Sequence, residues 1–108
     1  MDKAYIARKL KAARDLISQE GAWTQGNCAR DTNGNSVSCH SDEATCFCMI
    51  GAIVHVAPDS WPTLSGALYG SDEALIDNGI AAWNDTPDRT QAEVVAMFDK
   101  AIEIAGAA

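Results

Sequence analysis

Cys46-Phe47-Cys48-Met49-Ile50-Gly51-Ala52-Ile53-Val54 is the most apolar stretch of the chain, and its reading decides what the rest is built around. It lies inside the longest uncharged run, Ala44 to Pro58. That run falls short of the ~18 apolar residues that a membrane span needs. Phe47, Ile50, Val54 and Ala57 recur at helical spacing, with Ile53 beside them, so a helix is expected over 42–57. Ser41 and Asp42 precede it as caps, Asp42 and Glu43 suit the positive end of its dipole, and Pro58 ends it. A helix that is apolar nearly all round belongs at the centre of a core.

Upstream, Ile6, Leu10, Ala13 and Ile17 form a second helical stripe, widened by Leu16, over residues 2–19. Gly21 follows as a C-terminal cap. Residues 20–41 change character and crowd Gly, Asn, Asp, Ser and Thr. Asn33-Gly34 is a strong two-residue hairpin signal, because a type I′ turn needs positive φ at both central residues. That turn would set Arg30 opposite Val37 and Cys28 opposite Cys39; a bare loop is the alternative.

Downstream, Trp61, Leu64, Leu68 and Tyr69 read as a short helix within 59–70. Ser71 is expected to cap a segment through Ala74, Leu75 and Ile76, broken at Asn78-Gly79. Ile80 to Trp83 reads as one more helical turn. Thr90-Gln91-Ala92-Glu93 is a capping box, followed at helical spacing by Val94, Phe98, Ala101, Ile102 and Ala105. The expected fold is mainly α: a compact single domain over 1–108, of four to five helices, with a small β-hairpin or loop insertion after helix 1.

The chain has 108 residues, 47% of them hydrophobic, enough to bury a core without a disulfide or metal staple. Its charge is uneven. Lys3, Arg8, Lys9, Lys11 and Arg14 stand against Asp2 alone in residues 1–14, leaving −11 on the remainder and −7 overall. So acidic a chain repels phosphate backbones, which argues against direct nucleic-acid binding. The surface suits solubility, or docking on a basic protein. Charges throughout residues 1–17 leave no apolar signal-peptide core, so a cytoplasmic protein with reduced thiols is expected.

The four cysteines are the residues most suggestive of chemistry. Cys28, Cys39, Cys46 and Cys48 could bind zinc, with His40 able to replace one of them, as in the set Cys28, Cys39, His40 and Cys46. Spacing argues against it. If Cys46 and Cys48 are both helical they point about 200° apart and cannot share an ion. A Cys28–Cys39 disulfide fits the hairpin geometry but not a reducing compartment. Cys46 and Cys48 remain thiol candidates near a helix N-terminus. His55 lies two turns from Cys48, ~10.5 Å along a regular helix, too far to act as its base. The small side chains of Cys48, Gly51 and Ala52 would instead let a neighbouring helix approach closely.

Trp83, Asn84 and Asp85, with Trp23 and Gln25, are the candidate binding residues, in two segments that join an aromatic to short polar side chains. The competing reading makes them turn residues and core anchors, with Trp23 under the hairpin and Gln25 solvated. Asp72, Glu73 and Asp77 read as a solvated acidic face, not as a catalytic pair. No Gly-rich phosphate loop, Ser-His-Asp set or HExxH motif is present, and no cofactor is expected.

Several segments, taken in order, resemble a family. They are Ala12-Ala13-Arg14-Asp15-Leu16-Ile17, Trp23-Thr24-Gln25-Gly26 with Ala29-Arg30-Asp31, Cys46-Phe47-Cys48 with Gly51-Ala52, Ala82-Trp83-Asn84-Asp85, and the helix from Glu93-Val94 to Ala101-Ile102. Together they resemble an uncharacterised family of small bacterial and phage proteins, a domain of unknown function. Trp usually fills the middle of the Cys-x-Cys step in that family, where this chain has Phe47; Cys28 and Cys39 lie outside the pattern. The resemblance implies a shared fold and a phage or mobile-element setting, and transfers no catalytic residue. The function expected first is therefore binding of a still unidentified protein partner, for example inhibition of a host defence protein with a basic surface. A small thiol-dependent enzyme or zinc protein is the alternative. A third class is a self-associating module with a patch at Trp61, Leu64 and Tyr69.

Overall fold

The computed structural model describes residues 2–106. The first helix, α1 (Lys3–Ser18), is started by the Asp2 carboxylate, which accepts the Tyr5 N–H at 2.7 Å. Its Leu10, Ala13 and Ile17 are fully buried, as the stripe requires. The chain then forms β1 (Ala29–Arg30), β2 (Ser36–Val37) and β3 (Cys46–Phe47), an antiparallel sheet in the order β2-β1-β3. Five helices follow: α2 (Met49–Val56), α3 (Trp61–Tyr69), α4 (Glu73–Asn78), α5 (Ile80–Asn84) and α6 (Gln91–Gly106). The fold is thus mainly helical, with a small sheet after α1. Among the described residues no helix is long and apolar enough to cross a membrane.

The core joins α1 to α2, α3 and α6 through Leu10, Ile17, Ile53, Leu64, Leu68 and Phe98. α6 begins with the expected capping box: the Thr90 hydroxyl accepts the Glu93 N–H at 3.1 Å, and the Glu93 carboxylate accepts the Thr90 N–H at 2.9 Å. Gln91, inside that box, donates its side-chain amide to the carbonyls of Ile17 and Gln19 at 2.8 and 2.7 Å. One residue of α6 thus satisfies the open carbonyl end of α1. An ion pair, Arg14 to Asp99 at 2.9 Å, joins the same two helices.

Four local expectations are corrected. α2 starts at Met49, not at residue 42. Cys46 and Phe47 instead pair with Arg30 and Ala29 as a strand, and Phe47 also bridges Trp23. A short apolar run suits helix and buried strand alike, and here the available edge of β1 decides. Ser41, expected as the helix cap, closes a turn, its hydroxyl accepting the Glu43 N–H at 3.0 Å. The hairpin is shifted by one residue, with Ala29 opposite Val37 and Arg30 opposite Ser36. The Asp31 carboxylate accepts the N–H groups of both Asn33 and Asn35 at 2.9 Å, and only Gly34 has positive φ, +84°. This is a three-residue loop with its last residue left-handed, not a two-residue I′ turn. Finally, α4 is capped by Asp72, which accepts the Ala74 N–H at 2.9 Å; Ser71 is buried and donates to the Leu68 carbonyl.

On the small face of α2, the group that comes close at Gly51 is the Cys28 backbone, whose carbonyl accepts the Cys48 N–H at 3.1 Å. A Cβ at Gly51 would overlap that carbonyl oxygen. Gly66 in α3 faces open space. Gly51→Ala is therefore expected to cost about 3 kcal/mol, the upper range for overpacking against something that cannot yield. Gly66→Ala should instead gain about 0.5–1 kcal/mol, by restricting the unfolded chain. Urea denaturation of both variants checks the pair, and equal effects would contradict the close approach.

Candidate functional site

The candidate binding residues come from segments some sixty positions apart, and the fold brings them together. Trp23 Nε1 donates to Asn84 Oδ1 at 2.8 Å. Gln25 Nε2 donates to the carbonyls of Asn84 and Thr86 at 2.9 and 3.0 Å. The Gly26 N–H donates to Asp85 Oδ1 at 3.0 Å. Asn84 is fully buried; its Nδ2 donates to the Thr24 carbonyl at 3.1 Å and to Asp85 Oδ1 at 2.9 Å, and its Oδ1 also accepts the Met49 N–H at 3.1 Å. The Trp23–Gly26 loop is thereby fastened to α5 and to the first turn of α2. Gln25 is not the freely solvated residue expected, because its amide is committed to two carbonyls.

Trp83 is buried and lies under Arg89, whose guanidinium sits 3.8 Å from the ring centroid and donates to the Trp83 carbonyl at 3.0 Å. Arg30 fastens the other side of the loop, donating to Thr24 Oγ1 and the Gly34 carbonyl at 3.0 Å and to the Gln25 carbonyl at 3.3 Å. Neither arginine is among the binding residues expected from the sequence. Arg89 is delivered by a turn in which Asp88 has φ +69°, a conformation that nothing in the residue pattern announces.

The cysteines regroup. Cys48 caps α2, its sulfur accepting the Gly51 N–H at 3.3 Å. Cys28, Cys39 and Cys48 lie near enough to perturb one another, whereas Cys46 points its thiol at the Arg30 carbonyl, 3.9 Å away. All four are free thiols. Burial, then the neighbouring Cys39 and Cys48, push the Cys28 thiol up to about 12. Burial also raises Cys48, and two helix amides offset it only in part; Asp85 adds to the rise. A helix N-terminus thus fails to make a thiolate, because desolvation outweighs the dipole. His55 Nδ1 is 2.6 Å from the Cys39 carbonyl, which can only accept, so that nitrogen carries the proton and is engaged. Among the described residues no three His, Cys, Asp or Glu side chains are placed to hold a metal ion. The alternative set of Cys28, Cys39, His40 and Cys46 is not assembled, since His40 is exposed and Cys46 stands apart.

Beside this network a groove of about 280 Å³ opens between the Gly26–Cys28 segment, the start of α2 and α5. Cys28, Cys48, Ile50, Ala81 and Asp85 are among the residues that line it. The chain belongs to a family of unknown function, DUF6197, whose family model matches residues 1–104. No curated protein and no solved structure matches it.

Two outcomes are expected. Asn84→Ala strips the buried Met49 N–H and the Trp23 indole of their acceptor and should cost about 3 kcal/mol in chemical denaturation; a loss near zero would contradict the bracing role. Ionisation of the thiols supplies the second. Cys28 ionises near 9 when unfolded and near 12 when folded, so its contribution is present below pH 9 and is lost as pH rises toward 12. Stability should therefore fall across that window. At pH 8, iodoacetamide should label Cys28 and Cys48 at least about tenfold more slowly in the native protein than in urea, read by peptide mass spectrometry.

Proposed function

Taking membership of a family with no assigned activity as the premise, we propose that this protein is a non-enzymatic binding module that docks on a basic protein surface. One observation carries the reading. Of the fifteen acidic side chains, only Asp15, Asp72, Glu93 and Asp99 pair with Lys or Arg among the described residues. The other eleven make no ion pair with Lys or Arg among the described residues, and the chain keeps a net charge of −7. Of the eight basic side chains, Arg30 and Arg89 are turned inward on carbonyls and an indole. A field of this sign steers basic partners and repels nucleic acid.

The finer form of the proposal is a phage or mobile-element inhibitor that covers the basic channel of a host defence protein in the cytoplasm. Acidity and small size support it. The thiol-enzyme alternative is weaker, because burial keeps Cys28 and Cys48 protonated and His55 is engaged elsewhere. The patch expected at Trp61, Leu64 and Tyr69 loses its centre, since Leu64 is fully buried.

Affinity capture from host lysate tests the proposal, comparing the native protein with a variant carrying Glu73→Gln, Asp77→Asn, Asp85→Asn and Asp88→Asn. A partner with a basic surface should be retained at about 50 mM salt and released at about 500 mM, where the Debye length shrinks to a few Å. The variant should retain markedly less. Equal capture by both proteins, or bound zinc and one fast thiol in the native protein, would overturn the reading.

A further inference from the structure

We propose that the groove beside Asp85 receives one long cationic side chain, a lysine or an arginine, from the protein partner. This rests on the docking reading above and gives it a site. Three observations converge on that ligand class. First, the groove wall is apolar: Ile50, Ala81 and the protonated thiols of Cys28 and Cys48 line it. Such a wall accepts the methylene stem of a long basic side chain while the charged head stays near water. Second, no basic residue lines the groove, and no Lys or Arg pairs with Asp85 among the described residues. The only formal charge in the wall is negative, so an anionic ligand is disfavoured and a cation is not anticipated by an internal one.

Third, Asp85 is held in place. Its Oδ1 accepts both the Gly26 N–H at 3.0 Å and the Asn84 Nδ2 at 2.9 Å. Two donors occupy that oxygen's two lone pairs, and Oδ2 takes no hydrogen bond from the described residues. The carboxylate therefore presents one free oxygen in a fixed orientation, which lowers the entropy lost on binding. With one oxygen committed, a guanidinium cannot form its usual two-pronged pair. An ammonium should then bind about as well as a guanidinium.

The test is a titration of the full chain with n-butylammonium, n-butylguanidinium and 1-butanol, followed by amide NMR. Both cations should give saturable shifts at Gly26, Ala81 and the Asn84 side-chain amide, with affinities within about threefold of each other, as single-oxygen contacts imply. 1-Butanol should not. Asp85→Asn keeps an oxygen for Gly26 and Asn84 but removes the charge, and should weaken cation binding about fivefold, the factor of a partly exposed ion pair. Ala81→Arg places a guanidinium one helical turn before Asp85, filling the site from within, and should abolish binding with the fold intact. Equal binding by Asp85→Asn, equal binding of 1-butanol, or no saturable shift at these residues would overturn the pocket. A guanidinium preference of tenfold or more would overturn the single-oxygen geometry. Partner capture that persists without cation binding overturns the pocket alone; cation binding without any partner capture overturns the docking reading alone.

Discussion

A carboxamide with no access to water braces this fold. Asn84 uses all four of its hydrogen-bonding positions, two as acceptor and two as donor, on four different residues. The orientation of the amide is not ambiguous: an indole N–H and a backbone N–H face its oxygen, and a carbonyl and a carboxylate face its nitrogen. α5, which carries Asn84, is five residues long and could not persist as an isolated helix. Its position is set by what Asn84 holds: the Trp23–Gly26 loop on one side and the first amide of α2 on the other. Neither Asp nor Leu could substitute, since the site demands donors and acceptors in equal number.

That brace explains the behaviour of the cysteines. The loop that Asn84 anchors runs on into Cys28, whose carbonyl comes to rest over Gly51. The packing around that contact buries Cys48 and half-buries Cys28, and this partial loss of water keeps both thiols protonated. The same packing that looks like a prepared nucleophile, a thiol at a helix N-terminus, therefore disarms it. Gly51 contributes by lacking a side chain.

Legibility from the residues followed the range of the interactions. α1 and α6 were readable because their stripes and the Thr90–Glu93 box are local patterns whose meaning changes little with context. The start of α2 was not, because an apolar run that ends in a helix gives no sign that its first two residues will be claimed by β1. The hairpin missed by a single register step, since the Asp31 carboxylate gathers two amides and pulls the turn one residue earlier. In the candidate site, Trp23, Gln25, Asn84 and Asp85 were all identifiable, but their convergence was not. The bracing roles of Arg30 and Arg89 were invisible for a related reason: their partners are mostly backbone carbonyls and a ring, and a carbonyl has no sequence signature.

Asp85 differs from its neighbours in what the fold leaves over. The Trp23 indole, the Gln25 amide and the whole of Asn84 are consumed internally, so they can shape a surface but have little left to offer a ligand. Asp85 spends one oxygen on the same network and turns that expenditure into rigidity for the other. A group that is both fixed and incompletely satisfied is a better candidate for recognition than one that is merely exposed, such as Asp77 or Glu103, whose side chains must be ordered before they can bind. Protonated thiols beside it strengthen the case, because neutral sulfur adds contact area without competing for the cation. The network read here as structure and the groove read here as a binding site are therefore one device: saturating Asn84 is what makes the free oxygen of Asp85 specific.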